Sequence, residues 1–137
     1  MRSRPRASSI SPGSRHEKSL SGRTALKRIW KALFYSLDGL AAAFKHEEAF
    51  RLEVLLTLIL VPIALHMPVS GVGKALLMGS LLLVLVAELL NSAIEAVTDR
   101  ISLEGHVLAK RAKDFGSAAV MLSVINVPVV WLLVIFG

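Results

Sequence analysis

Three long apolar runs divide this chain of 137 residues. They cover residues 49–67, 75–97 and 115–136, and each is close to the roughly 20 residues that a helix needs to cross a bilayer. Ahead of them, residues 24–46 repeat apolar side chains at spacings of three and four, with basic residues around that face. The pattern predicts an all-α integral membrane protein with three transmembrane helices and an N-terminal amphipathic helix on the membrane surface.

Composition supports this prediction, because 54% of the residues are hydrophobic. The chain has 16 basic and 10 acidic residues, and residues 1–22 are rich in Arg, Ser, Gly and Pro. We predict a disordered basic tail at 1–22, attracted to anionic lipid, and a membrane domain at 23–137. The tail's composition is also typical of an organellar transit peptide. Nucleic acid is not expected as a partner, because no stacking aromatic residues accompany the tail.

The distribution of positive charge predicts the orientation in the membrane. Basic residues precede the first span, whereas the first loop contains only Lys74. The second loop has four basic residues, namely Arg100, Lys110, Arg111 and Lys113. By the positive-inside rule the N-terminus and the second loop are cytoplasmic and the C-terminus is outside.

A polar stripe interrupts the second span. Glu88, Asn91, Glu95 and Asp99 follow one another at i, i+3, i+7 and i+11, which places them along one face of a helix. A carboxylate at the centre of a span costs about 2.5 to 3.5 kcal/mol, so intramembrane acids indicate function. The alternative is a pair of carboxylates that only hydrogen-bonds to neighbouring helices.

The residue types of the stripe and the second loop favour phosphoryl transfer. Carboxylate oxygens without cysteine or clustered histidine suit Mg²⁺, and Glu47 and Glu95 are the candidate pair. Lys113 offers positive charge to phosphates, and Asp114 can accept from a ribose or orient a lysine. Glu88 lies about two turns deeper than Glu95 and can take a proton from a lipid hydroxyl. For the Lys–Asp loop alone, a solvated cytoplasmic turn is the competing interpretation.

The stripe also resembles a known family. ELLNSAIEAVTDR, followed by GHVLAKRAKDFGSAAV, is similar to the prokaryotic diacylglycerol kinases, and KALFYSLDGLAAAFKHEEAFRLE resembles their surface helix and first span. The resemblance covers about residues 24–137. It implies a homotrimeric bundle in the bacterial inner membrane, with active sites shared between neighbouring chains. Its partners would be diacylglycerol and MgATP, with phosphatidic acid made at the cytoplasmic face.

The resemblance also implies roles for individual residues. Glu88 would be the catalytic proton acceptor, with Asn91 and Asp99 in support, and Glu47 and Glu95 would bind magnesium. Residues that would contact MgATP are Arg28, Tyr35, Glu47, Glu95, Glu104, Gly105, His106, Lys113 and Asp114. Residues that would contact the lipid are Ala32, Ser36, Ala49, Arg51, Glu53, Glu88, Ser117 and Trp131. The chain departs from the family pattern at Asp38, where a basic residue is frequent, and at Glu48, which adds a second acid beside Glu47.

Two other functions fit part of the pattern. An undecaprenol kinase of the same family would share the stripe and differ in its lipid acceptor, although Arg111, Phe115 and Gly116 favour the diacylglycerol branch. A carboxylate-based proton or cation carrier would also place glutamates in the membrane. Carriers typically have repeats or broken helices, which this sequence does not show, and they do not need Lys113 and Asp114.

Overall fold

The computed structural model describes the backbone of residues 14–101 and 107–137, and the side chains of 24–100 and 107–137. Within those ranges the regular secondary structure is all helical, with α1 at Ser14–His46, α2 at Glu48–His66, α3 at Gly71–Ile101 and α4 at Val107–Phe136. Residues 1–13 of the predicted tail lie outside the described residues. So do Glu104, Gly105 and His106, which were predicted to contact ATP.

Helices α2, α3 and α4 are each long and apolar enough to cross a membrane. This confirms the predicted all-α class with three apolar helices of membrane-spanning length. Helix α2 begins and ends one residue before the predicted span, whereas α3 and α4 extend beyond their apolar runs to Ile101 and back to Val107. The apolar runs mark only the part of a helix that suits hydrocarbon, and in α4 the helix-favouring Ala, Leu, Lys and Arg residues at 108–113 extend the helix beyond its apolar run.

The turn between α2 and α3 has identifiable local causes. Met67 ends α2 with ψ of 141°, as expected for a residue that precedes a proline, here Pro68. Ser70 then caps α3, because its Oγ accepts the backbone N–H of Gly73 at 3.1 Å. Lys74 donates from Nζ to the carbonyl oxygen of Leu65 at 2.7 Å and so satisfies a free carbonyl at the end of α2.

The chain divides into two compact units, Met1–Gly39 and Leu40–Gly137. In the second unit, α3 packs against both α2 and α4. Leu77, Leu81, Val84 and Glu88 are all buried and recur at spacings of four and three, so they form one inward-facing stripe of α3. Many apolar side chains of α2 and α4 remain exposed, as is usual for helices that face lipid or other helices in a membrane.

Candidate active site

The polar stripe of α3 begins at a buried carboxyl group. Glu88 is only 6% exposed and continues the apolar stripe of the core. One turn further along, Asn91 donates from Nδ2 to Oε1 of Glu95 at 3.4 Å. The predicted i, i+3, i+7 spacing therefore places these three side chains on one face, and Asn91 touches the carboxylate of Glu95.

Four carboxyl groups interact with one another near the Glu88 end of this stripe. Glu88 interacts electrostatically with Glu53, Glu95 and Glu47. Glu53 comes from α2, and Glu47 is the single non-helical residue between α1 and α2, with φ of −105° and ψ of 116°. Because like charges repel strongly away from bulk water, such a cluster favours a cation among its members.

The residues fit a magnesium ion that is held partly by its substrate. In the described part of the chain, no three His, Cys, Asp or Glu side chains form a complete protein cage for a metal. Magnesium usually takes only one or two protein carboxylates and completes its shell with phosphate oxygens and water. Glu47 and Glu95 both act electrostatically on Glu88 and are hard oxygen donors, so the pair suits this kind of site.

Two lysines of α4 are paired with aspartates near the polar end of the stripe. Lys113 donates from Nζ to Oδ1 of Asp99 at 2.6 Å, which links α4 to α3. Lys110 donates to Oδ2 of Asp114 at 2.7 Å, one turn apart on the same helix. The sequence suggested Lys113 and Asp99 separately, and their pairing depends on how the two helices pack.

Gly116 is a further residue of the site that the sequence analysis did not assign to it. A Cβ atom at this position would collide with Oδ1 of Asn91 and would lie 3.4 Å from its Cγ. Gly116 is buried, so the backbone of α4 lies directly against the Asn91 amide. The only signal in the sequence is a glycine among small residues in GSAA, which many transmembrane helices also contain.

Comparison with known proteins identifies the family. The sequence model of the prokaryotic diacylglycerol kinase family matches residues 34–135. The chain belongs to the prokaryotic diacylglycerol kinase family. It is 50% identical over 116 residues to the diacylglycerol kinase of Pseudomonas aeruginosa, covering 85% of this chain and 94% of that protein. It is 46% identical over 114 residues to that of Escherichia coli K12, covering 83% and 93%.

A more distant relative agrees with this assignment. The diacylglycerol kinase of Helicobacter pylori 26695 is 42% identical over 105 residues, covering 77% of this chain and 82% of that protein. The resemblance found in the sequence is thereby confirmed. The chain is a member of an enzyme family, that of kinases whose acceptor is an alcohol.

Several residues that the family resemblance assigned to lipid lie along α2 and α4. Arg51 donates from Nη1 to the carbonyl oxygens of Phe44 at 3.3 Å and Lys45 at 3.1 Å, so it is held against the end of α1. Ala49 and Ser117 are exposed. Trp131 lies on α4 about 21 Å from Ser117 along the helix axis, at 1.5 Å per residue.

The remaining predicted residues of this family member lie in the unit Met1–Gly39. Arg28, Ala32 and Ser36 are exposed there, and Tyr35 is 70% exposed. The Ser36 hydroxyl donates to the carbonyl oxygen of Ala32 at 2.9 Å. The roles of these residues toward ATP and lipid stay predictions.

Two open grooves run along the apolar helices of the kinase. The larger, of about 510 Å³, lies between α3 and α4 and is bordered by Asn91 and Gly116 amid apolar side chains. The smaller, of about 260 Å³, is lined by residues of α2, α3 and α4, with Glu53 as its one charged residue. The Oε2 atom of Glu53 is buried and has no hydrogen-bond partner among the described residues.

Proposed function

We propose that the chain transfers the γ-phosphoryl group of ATP to the primary hydroxyl of diacylglycerol and releases phosphatidic acid and ADP. The supporting observation is Glu88, a carboxyl group that is 6% exposed within an apolar helix and faces three further acids. In a member of this kinase family, a group so far from water needs a chemical reason to be there. Proton acceptance from a lipid hydroxyl is that reason.

In the proposed phosphoryl transfer, Glu88 acts as the base. Glu88 takes the hydroxyl proton while the hydroxyl oxygen forms a bond to the γ-phosphorus. The bond from that phosphorus to the oxygen bridging the β- and γ-phosphates breaks at the same time, and ADP leaves with the electron pair. Base assistance of this kind typically accelerates a reaction by about 10² to 10⁴-fold.

Glu47 and Glu95 would hold magnesium, which when bound neutralises charge on the phosphates. Asn91 supports this arrangement through its 3.4 Å contact with Glu95. Lys113 would neutralise further phosphate charge. Before nucleotide binds, its 2.6 Å hydrogen bond to Asp99 would fix its position. Asp114 would meet the nucleotide or orient Lys110, to which it is bonded at 2.7 Å.

We further propose that the lipid lies along the apolar helices with its hydroxyl directed at Glu88. The groove of about 260 Å³ suits part of an acyl chain because its lining is apolar apart from Glu53 and Thr57. We also propose that the chain assembles into a homotrimer in the inner membrane, as the family resemblance implies. Basic residues support a cytoplasmic N-terminus and an outside C-terminus.

The test is a competition between lipid acceptors. Purified protein in detergent receives labelled ATP, magnesium, and equal amounts of diacylglycerol and a polyprenol, and the products are separated by thin-layer chromatography. Phosphatidic acid is expected as the main product. Polyprenyl phosphate would instead indicate the undecaprenol branch of the family. If no lipid is phosphorylated and reconstituted protein moves protons or cations across liposomes, the carrier function is correct and the kinase proposal is wrong.

A further inference from the structure

Gly116 holds the backbone of α4 against the side chain of Asn91. Of the atoms that an added Cβ would meet, Oδ1 of Asn91 is closest, followed by Cγ at 3.4 Å and Cα at 3.5 Å. The distance to Cα is an ordinary contact, so the backbones of α3 and α4 have room for a methyl group. Only the amide of Asn91 would have to move.

The amide of Asn91 has a single defined orientation. Its Nδ2 donates to Oε1 of Glu95, and its Oδ1 is buried against Gly116 with no hydrogen-bond partner in the described part of the chain. The reversed amide would set Oδ1 against a carboxylate oxygen, and two acceptors repel. The observed orientation therefore depends on free space at Gly116 and on the acceptor oxygen of Glu95.

The bond from Asn91 to Glu95 tolerates little displacement. At 3.4 Å it already exceeds the usual 2.7 to 3.2 Å of an N–H···O hydrogen bond. A Cβ at position 116 would push the amide away from its place and break this contact. Alanine also has a higher helix propensity than glycine, so the substitution would not weaken α4 itself.

We propose that Gly116 is a positioning residue: its missing side chain lets the Asn91 amide point at Glu95 and thereby sets the orientation of that carboxylate. The catalytic part of this inference rests on the proposed function, in which Glu95 binds magnesium. The contact itself does not depend on that function. The two parts are therefore measured separately.

The contact is tested by NMR of the side-chain amides. The chain contains two asparagines, Asn91 and Asn126, and no glutamine, so ¹⁵N-labelled protein in detergent has only two side-chain carboxamide groups, each with one ¹⁵N signal. Asn91→Ala removes one signal and so assigns both. Gly116→Ala is expected to shift the signal of Asn91 and leave that of Asn126 in place. An Asn91 signal that does not move would overturn the contact.

The catalytic part is tested by a double-mutant cycle. Gly116→Ala is expected to lower kcat by at least about tenfold and to raise the magnesium concentration needed for half-maximal rate, because small misplacements of catalytic groups are costly. In an Asn91→Ala background the same change should alter kcat by less than about twofold, since the amide it displaces is gone. Gly79→Ala is the matched control, because a Cβ there meets nothing within 4 Å.

Three results decide between this role and simple helix packing. Equal losses from Gly116→Ala with and without Asn91 would show that the glycine serves packing alone. Wild-type kcat and magnesium dependence in Gly116→Ala, with a shifted NMR signal, would refute the positioning role. A wild-type protein without lipid kinase activity would refute the proposed function, and the NMR shift would then establish the contact without its catalytic consequence.

Discussion

Replacing Glu88 by glutamine is the most direct test of the proposed chemistry. The change keeps the size of the side chain and most of its hydrogen bonding, but glutamine cannot accept a proton. Because Glu88 is 6% exposed, no bulk water is at hand to replace it as a base. We expect kcat to fall by about 10² to 10⁴-fold, which corresponds to about 2.7 to 5.5 kcal/mol of transition-state stabilisation.

The same substitution should not harm folding or nucleotide binding. Glu88 interacts electrostatically with Glu53, Glu95 and Glu47, so removing its charge relieves repulsion. Thermal stability in detergent should be unchanged or higher, and the KM for MgATP should change by less than about threefold, because a base acts only in the transition state. This split between kcat and KM separates lost proton transfer from a damaged site.

The assay is initial-rate kinetics with coupled detection of ADP, at saturating diacylglycerol and varied MgATP. Glu48→Gln is the control, since that side chain is 94% exposed and pairs only loosely with Arg51, at 3.7 Å. The control should retain activity within about twofold, as is usual for surface substitutions. A Glu88→Gln protein with wild-type kcat would show that the base lies elsewhere and that the stripe is structural.

Three further changes test the surrounding groups. Glu95→Gln should lower activity by orders of magnitude with partial recovery at high magnesium, and a normal rate at low magnesium would remove Glu95 from the metal site. Asp99→Asn should raise the KM for ATP by up to about fivefold, because the largely exposed ion pair with Lys113 contributes at most about 1 kcal/mol. A change in kcat with an unchanged KM for ATP would contradict this expectation. Arg51→Lys shortens the side chain and removes the Nη1 that donates to the carbonyl oxygens of Phe44 and Lys45, so thermal stability should fall while magnesium dependence holds. A change in lipid preference alone would instead support direct lipid contact by Arg51.

The sequence predicted those features that depend on local periodicity. The apolar run ahead of His66 is bounded by charges on one side and by Pro68 on the other, so the ends of α2 differ from the predicted span by one residue. The stripe of Glu88, Asn91 and Glu95 follows from helical spacing alone, because no partner helix is needed to align residues at i, i+3 and i+7.

Features that depend on the register between helices were not predictable in this way. The bond between Lys113 and Asp99 and the contact between Gly116 and Asn91 both join α3 to α4. Each requires a particular rotation and offset of two helices whose apolar faces are nearly uniform in composition. The end of α3 at Ile101 and the start of α4 at Val107 were also not predicted, because hydropathy indicates the membrane-spanning part of a helix and not its full length.

The packing of α3 between two helices also explains how the site can combine buried and exposed groups. At one end of the stripe, Glu88 is buried in the core and interacts electrostatically with Glu53 of α2; in the proposed function a lipid hydroxyl would be deprotonated there without competition from water. At the other end, Asp99 is hydrogen-bonded to a partly exposed lysine of α4, and in the proposed function the charged nucleotide would arrive there from water. Glu95 lies between them and is in contact with Asn91, whose amide lies against Gly116 of α4. In the proposed function, the single continuous helix α3 would thus span the distance between the apolar and the charged substrate, and its rigidity would keep the base and the phosphate-binding groups in fixed register.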